Sequence, residues 1–144
     1  MKKILFTLYI VLFSMQSVFA QTSENSKTYV KNMGIKEKLS GAKNEMLFAI
    51  KTEKQPNFTK EFDQTIDNFI VSYIKLVDEN VNDSEIKAAN KTFHETQQLV
   101  QLIPKNPVVF EQKINTLNEK LDLSLQIIIV KYIEPAFLDV IKQE

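Results

Sequence analysis

His94 and Glu95 are the residues whose types most readily suggest chemistry. His94 is the only histidine of the 144-residue chain, and a glutamate follows it. A helical zinc-protease site needs a second histidine four residues after the first, so that both imidazoles reach one metal from one helix face. Position 98 is Gln98, and no other histidine can supply the missing ligand. A metal here would rest on one imidazole and carboxylates.

Two further sets carry oxygen ligands. Asp78, Asn80, Asn82 and Ser84 alternate like the start of a calcium loop. The glycine position of such a loop falls on Asp83 and the closing glutamate position on Ala89, so the pattern fits better as a turn that caps a helix. Asp63 and Asp67 share one helix face beside Glu61, and paired carboxylates can hydrolyse glycosides when held at set separations. They fall on the polar side of an amphipathic stretch, where carboxylates are ordinarily solvated. No nucleophile elbow, phosphate loop or dinucleotide fingerprint occurs. Neither a catalytic set, a metal site nor a cofactor site is expected.

The elements that would position these groups read as helices. Residues 23–33 suit a short helix broken at Gly34. Ile35, Leu39, Ala42, Met46 and Ile50 then recur at steps of three and four, which traces one helix face. Residues 51–57, with Pro56, read as a loop. Phe58, Phe62, Ile66, Phe69, Tyr73 and Leu76 form an aromatic stripe with charges elsewhere around the helix. Asn82 or Asp83 suits a helix cap, because a side-chain oxygen there can accept from free backbone N–H groups. Ile86, Ala89, Phe93, Thr96, Val100 and Ile103 make the face of that helix, which is expected to run until Pro104 ends it. Asn106 and Pro107 restart the chain as cap and first helical residue.

The last segment carries Phe110, Ile114, Leu117, Leu121, Leu125, Ile128 and Tyr132 at helical steps. Its residues 121–125 alternate and 127–130 are β-branched, which favours a strand. A lone strand would lack a partner, so helix is the expectation. A run apolar all round suits a helix buried at the centre of a bundle. Pro135 is expected to kink or interrupt it, leaving residues 136–142 as a final turn or two.

Composition narrows the function classes. All basic side chains are Lys, and the chain holds no Arg and no Cys. Thiol catalysis, disulfides and thiolate zinc sites are thereby excluded. Nucleic-acid recognition usually needs a basic patch and favours Arg for forked contacts, and neither is present. Two glycines argue against a Rossmann architecture or a β-rich fold. Residues 1–20 have the three parts of a secretory signal: Lys2 and Lys3, an apolar run from Ile4 to Phe13, and a small-residue end at Ala20. Cleavage is expected before Gln21; a retained anchor is the alternative. The apolar run is short for a membrane span, which needs roughly 20 residues. The exported chain would be one domain, residues 21–144, placed in the periplasm or secreted. With the signal removed, 16 Lys face 18 Asp and Glu.

The order of Gly34-Ile35, the first amphipathic helix, Gln55-Pro56, the aromatic stretch from Phe62 to Tyr73, the capping turn 82–86 and Phe93–Thr96 before Pro104 resembles a family of secreted bacterial helical proteins, domain of unknown function 2059. The similarity covers about residues 33–107. The family's pattern has tyrosine where His94 stands, a proline near Gln97 and a glycine near Leu99. The resemblance implies an all-α exported protein and no particular activity.

The expected architecture is all-α, an irregular antiparallel bundle of four or five helices. The expected role is non-catalytic binding: of a protein partner, of another copy, or of an apolar small ligand, without nucleic acid and without a stable membrane span. Phe62, Phe69, Tyr73, Phe93, Phe110 and Tyr132 are the candidate lining of that apolar face. The competing reading is an envelope hydrolase or metal-dependent enzyme built on His94, Glu95 and nearby carboxylates.

Overall fold

The computed structural model describes residues 22–133. The expected signal at residues 1–20 and the expected interruption at Pro135 lie outside the described residues. Among these residues five α-helices follow one another: α1 (Glu24–Asn32), α2 (Ile35–Leu47), α3 (Gln55–Asn80), α4 (Asp83–Thr96) and α5 (Pro107–Tyr132). No strand occurs among the described residues; a lone bridge joins Val81 to Pro104. The fold is all-α, as the helical spacing predicts.

Local chemistry sets most of the boundaries. Ser23 caps α1, its hydroxyl accepting from the Ser26 N–H at 3.1 Å. Gly34 separates α1 from α2 with φ of 63°, a left-handed conformation that costs a side-chain-bearing residue about 1–2 kcal/mol. Asn106 caps α5 by accepting from the Val109 N–H at 3.2 Å, and Pro107 fills the first turn. There its missing N–H would have had no intrahelical partner in any case.

Three boundaries differ from the sequence reading. Residues 51–57 do not form a plain loop. A 3-10 turn, Thr52–Lys54, leads straight into α3 at Gln55, with Pro56 in the first helical turn. The Gln55 side chain donates to the Leu47 and Ile50 carbonyls at 3.0 and 3.1 Å, closing the corner with α2. Neither Asn82 nor Asp83 caps α4 through its side chain. The Asn82 carbonyl accepts from the Ile86 N–H instead, and Asp83 Oδ1 accepts from Asn25 Nδ2 on α1.

The largest correction concerns the end of α4. The helix stops at Thr96, eight residues before Pro104. Gln97 turns left-handed at φ of 58°, and residues 97–106 return across the end of α3. The Lys105 N–H donates to the Asn80 carbonyl at 2.8 Å, the Tyr29 hydroxyl donates to the Val100 carbonyl at 2.9 Å, and Leu102 is buried. These tertiary contacts outweigh the helical preference of residues 97–103. Val100 and Ile103 consequently do not form a helix face, and Ile103 is 70% exposed.

The helices enclose two apolar clusters. Tyr29, Val30, Val77, Val81, Ile86, Ala89 and Leu102 form the upper one; Ile50, Phe58, Phe62, Ile66, Ile128, Tyr132 and Ile133 form the lower one. Ile70 packs against both. α3 runs antiparallel to α5, so Phe110 packs against the upper cluster and Phe58 meets Tyr132 in the lower, ring centres 5.8 Å apart. α2 also runs antiparallel to α3, pairing Lys36 with Asp67 and Lys43 with Asp63.

Helix α5 is continuous through residues 121–130, and the strand-like alternation there is overridden. It is not, however, the centre of the bundle. It packs chiefly on α3. Ile128 and Tyr132 are its buried residues, while Leu123, Ile127 and Val130 are 60%, 69% and 65% exposed. A helix with one main neighbour can bury only one stripe, whatever the hydropathy of its other sides.

Candidate functional site

The residues that suggested catalysis do not gather. His94 and Glu95 are exposed in the last turn of α4, where Glu95 lies 3.9 Å from Lys91 on the same helix. Among the described residues, no three His, Asp or Glu side chains converge in a metal-holding group. Asp67 bonds Lys36 and Asp63 bonds Lys43, each at 2.8 Å, so both carboxylates tie α2 to α3. Glu61 accepts from Lys131 Nζ at 2.6 Å and from the Tyr132 hydroxyl at 2.7 Å. The bond from Lys131, then that from Tyr132, hold its carboxyl below the usual range.

Asp78, the first residue of the calcium-like alternation, faces α1. Its Oδ1 accepts from the Ser23 N–H at 3.0 Å and from Ser26 Oγ at 2.8 Å. Burial works to raise its pKa, but hydrogen bonds from Ser26 and Ser23, with Lys105 nearby, outweigh burial and leave it below the ordinary aspartate value. The carboxylate therefore clasps two helices.

The aromatic residues grouped by sequence as one apolar face are distributed over four places. Phe62 and Tyr132 are buried in the lower cluster. Phe69 lies at the floor of an external groove. Tyr73 and Phe110 flank a chamber at the upper end. Phe93 is half-buried on α4 and lines neither of these spaces.

The groove follows the crevice between α3 and α5. Its upper part, about 600 Å³, has Leu76, Val109 and Leu117 as apolar floor. Its lower part, about 190 Å³, continues through the shared residues Ser72, Leu117 and Lys120 to Phe69 and Leu121. From Val109 to Ser124 the α5 wall extends about 22 Å at 1.5 Å per residue. Among the described residues, Lys75, Lys113 and Lys120 rim the groove against a single acid, Glu79. Glu79 lies 3.8 Å from Lys75, and Lys113 donates to Asn80 Oδ1 at 3.1 Å, so both lysines are steered along the groove edge. The wall also continues downward: Val109, Thr116, Leu123 and Val130 recur every seven residues and stay on nearly one side of α5.

The chamber opens on the other side of the α3–α5 pair. It encloses about 460 Å³ beneath the returning segment and is bounded by Tyr29, Tyr73, Leu102, Pro104, Phe110 and Glu111, among others. Burial, with Tyr73 close by, raises the pKa of Tyr29 above the ordinary tyrosine value; burial alone does so for Tyr73. Both phenols are thus neutral at physiological pH.

Sequence reasoning missed Tyr29, Leu102 and Pro104, because their convergence depends on the early end of α4. It also missed the three rim lysines, although their seven-residue separation at 113 and 120 was a usable signal. No family model, curated protein or solved structure matches this chain.

Proposed function

We propose that this protein is an exported, non-catalytic binding domain, and that its partner lays an acidic amphipathic helix into the α3–α5 groove. The observation that carries the reading is one groove with an apolar floor and a lysine rim. Amphipathic helices dock in hydrophobic grooves through anchors spaced three, four and seven residues apart. A wall of about 22 Å accommodates about four helical turns. Leu76, Phe69 and Leu117 would receive the apolar anchors. Lys75, Lys113 and Lys120 would face acids flanking that stripe, giving orientation and a faster encounter. Exposed Leu123, Ile127 and Val130 extend the apolar contact toward the C-terminal end of α5.

Export is supported by the three-part signal at residues 1–20. The isolation and exposure of His94 favour binding over an envelope hydrolase or metal-dependent enzyme. Two designed helical peptides test the proposal, sharing one apolar face and carrying either acidic or basic flanks. The acidic peptide is expected to shift the amide resonances of Leu76, Val109 and Leu117 saturably, with affinity falling as salt rises. Reversing charge in Lys113→Glu with Lys120→Glu should weaken it by about tenfold or more while the circular dichroism is unchanged. Equal binding of the basic peptide, or shifts confined to other surfaces, would refute the assignment.

A further inference from the structure

A second site is carried by the chamber on the other side of α3 and α5, independently of the groove. Its volume of about 460 Å³ lies in the range of small-molecule pockets, and its boundary is mostly aromatic and apolar. Three rings contribute to it: Tyr29, Tyr73 and Phe110. The wall is a built one. Tyr29 is 6% exposed and is held by its bond to the Val100 carbonyl. The segment above is anchored again where the Lys105 N–H meets the Asn80 carbonyl.

Charge selects the ligand. Among the described residues, Glu111 is the only ionic side chain that bounds the chamber, and no lysine does. The lysine-rimmed groove lies on the opposite side. Aromatic rings present negative π-faces, so several rings beside a carboxylate favour a positive guest and disfavour an anion. The Tyr73 hydroxyl has no hydrogen-bond partner among the described residues, although the side chain is half-buried. It is therefore available to a guest molecule.

We propose that this chamber binds a compact organic cation, an alkylated ammonium carried on an aromatic or aliphatic body. The ammonium would lie among the rings near Glu111, and the apolar body would take the space against Leu102 and the prolines. A quaternary ammonium suits the site especially: it has no N–H to satisfy and is held by ring faces and a nearby carboxylate through charge alone.

The test uses the processed chain and three probes of similar shape: benzyltrimethylammonium, benzyl alcohol and benzoate. Binding is followed by amide resonances and by tyrosine fluorescence. The cation is expected to bind saturably, shifting Tyr73, Leu102 and Phe110, with benzyl alcohol at least about fivefold weaker and benzoate weaker still. Glu111→Gln changes an exposed residue and should weaken the cation about fivefold without altering benzyl alcohol binding. Tyr73→Leu keeps apolar bulk and should weaken the cation by a similar factor. Three results would overturn the assignment: no saturable binding of the cation, equal binding of the neutral probe, or shifts centred on Leu117 and Lys120 in the groove. Because that last set of resonances reports the groove, failure of one site is distinguishable from failure of the other.

Discussion

The hydroxyl of Ser26, which has no solvent exposure, donates to Asp78 Oδ1 at 2.8 Å and joins the first turn of α1 to the end of α3 across 52 positions. The same oxygen accepts from the Ser23 N–H, so one carboxylate secures the whole start of the described fold. Removing an acceptor from a buried donor costs about 1–3 kcal/mol. Asp78→Ala should therefore lower stability in urea unfolding by about that amount, whereas substitution of exposed Asp122 should cost less than about 0.5 kcal/mol.

Acid should weaken the fold through the same group. Asp78 and Glu61 both have folded pKa values below their ordinary ones. Their contribution is complete above the unfolded carboxylate range, about pH 4, and is lost as pH falls through the lower folded values. Thermal melts across pH 2–6, an interval spanning roughly two units either side of that value, should show stability declining on the acid side. Asp78→Asn should flatten that decline; an unchanged acid limb in this variant would contradict the pairing with α1.

Phe58 and Ile127 offer a contrast in burial. Phe58 is wholly buried between Phe62 and Tyr132, while Ile127 is mostly exposed on α5. Phe58→Ala should cost about 3–5 kcal/mol. Ile127→Ser should change stability by less than about 0.5 kcal/mol. Equal losses for the two would mean that α5 is embedded on all sides.

Two left-handed residues should respond in opposite directions. Gly34→Ala meets no steric neighbour closer than the flexible Glu37 carboxylate at 3.7 Å, so its cost is conformational, about 1–2 kcal/mol. Gln97→Gly removes that strain at the end of α4 and should stabilise by up to about 1 kcal/mol. Equilibrium denaturation measures both.

The proposed export predicts a new terminus. Mass analysis of protein recovered outside the cytoplasm should give a chain beginning at Gln21, cut after Ala20. A full-length product starting at Met1 would favour the retained anchor.

Much of the fold was legible in local patterns. The aromatic stripe from Phe58 to Leu76 marked α3, and Asn106-Pro107 marked the start of α5 to the residue. Gly34 marked the break between α1 and α2. Each signal depends on a few neighbouring residues: a cap oxygen, a ring-locked φ, a missing Cβ, or apolar side chains meeting every three or four positions. Such terms act the same way wherever the segment lies, so the all-α class follows from sequence alone, as does the absence of any second imidazole to complete a His94 site.

Tertiary structure decided the rest. It ended α4 at Thr96, because burying Leu102 and bonding Tyr29 to Val100 require the chain to turn back over α3. It chose which side of the apolar run 127–130 in α5 is buried, since hydropathy cannot rank four consecutive β-branched residues until a neighbour covers one. It distributed Asp63, Asp67, Asp78 and Glu61 among partners 20 to 71 positions away, which local spacing does not encode. The groove and the chamber arise from those same choices, because each is a space between elements distant in sequence.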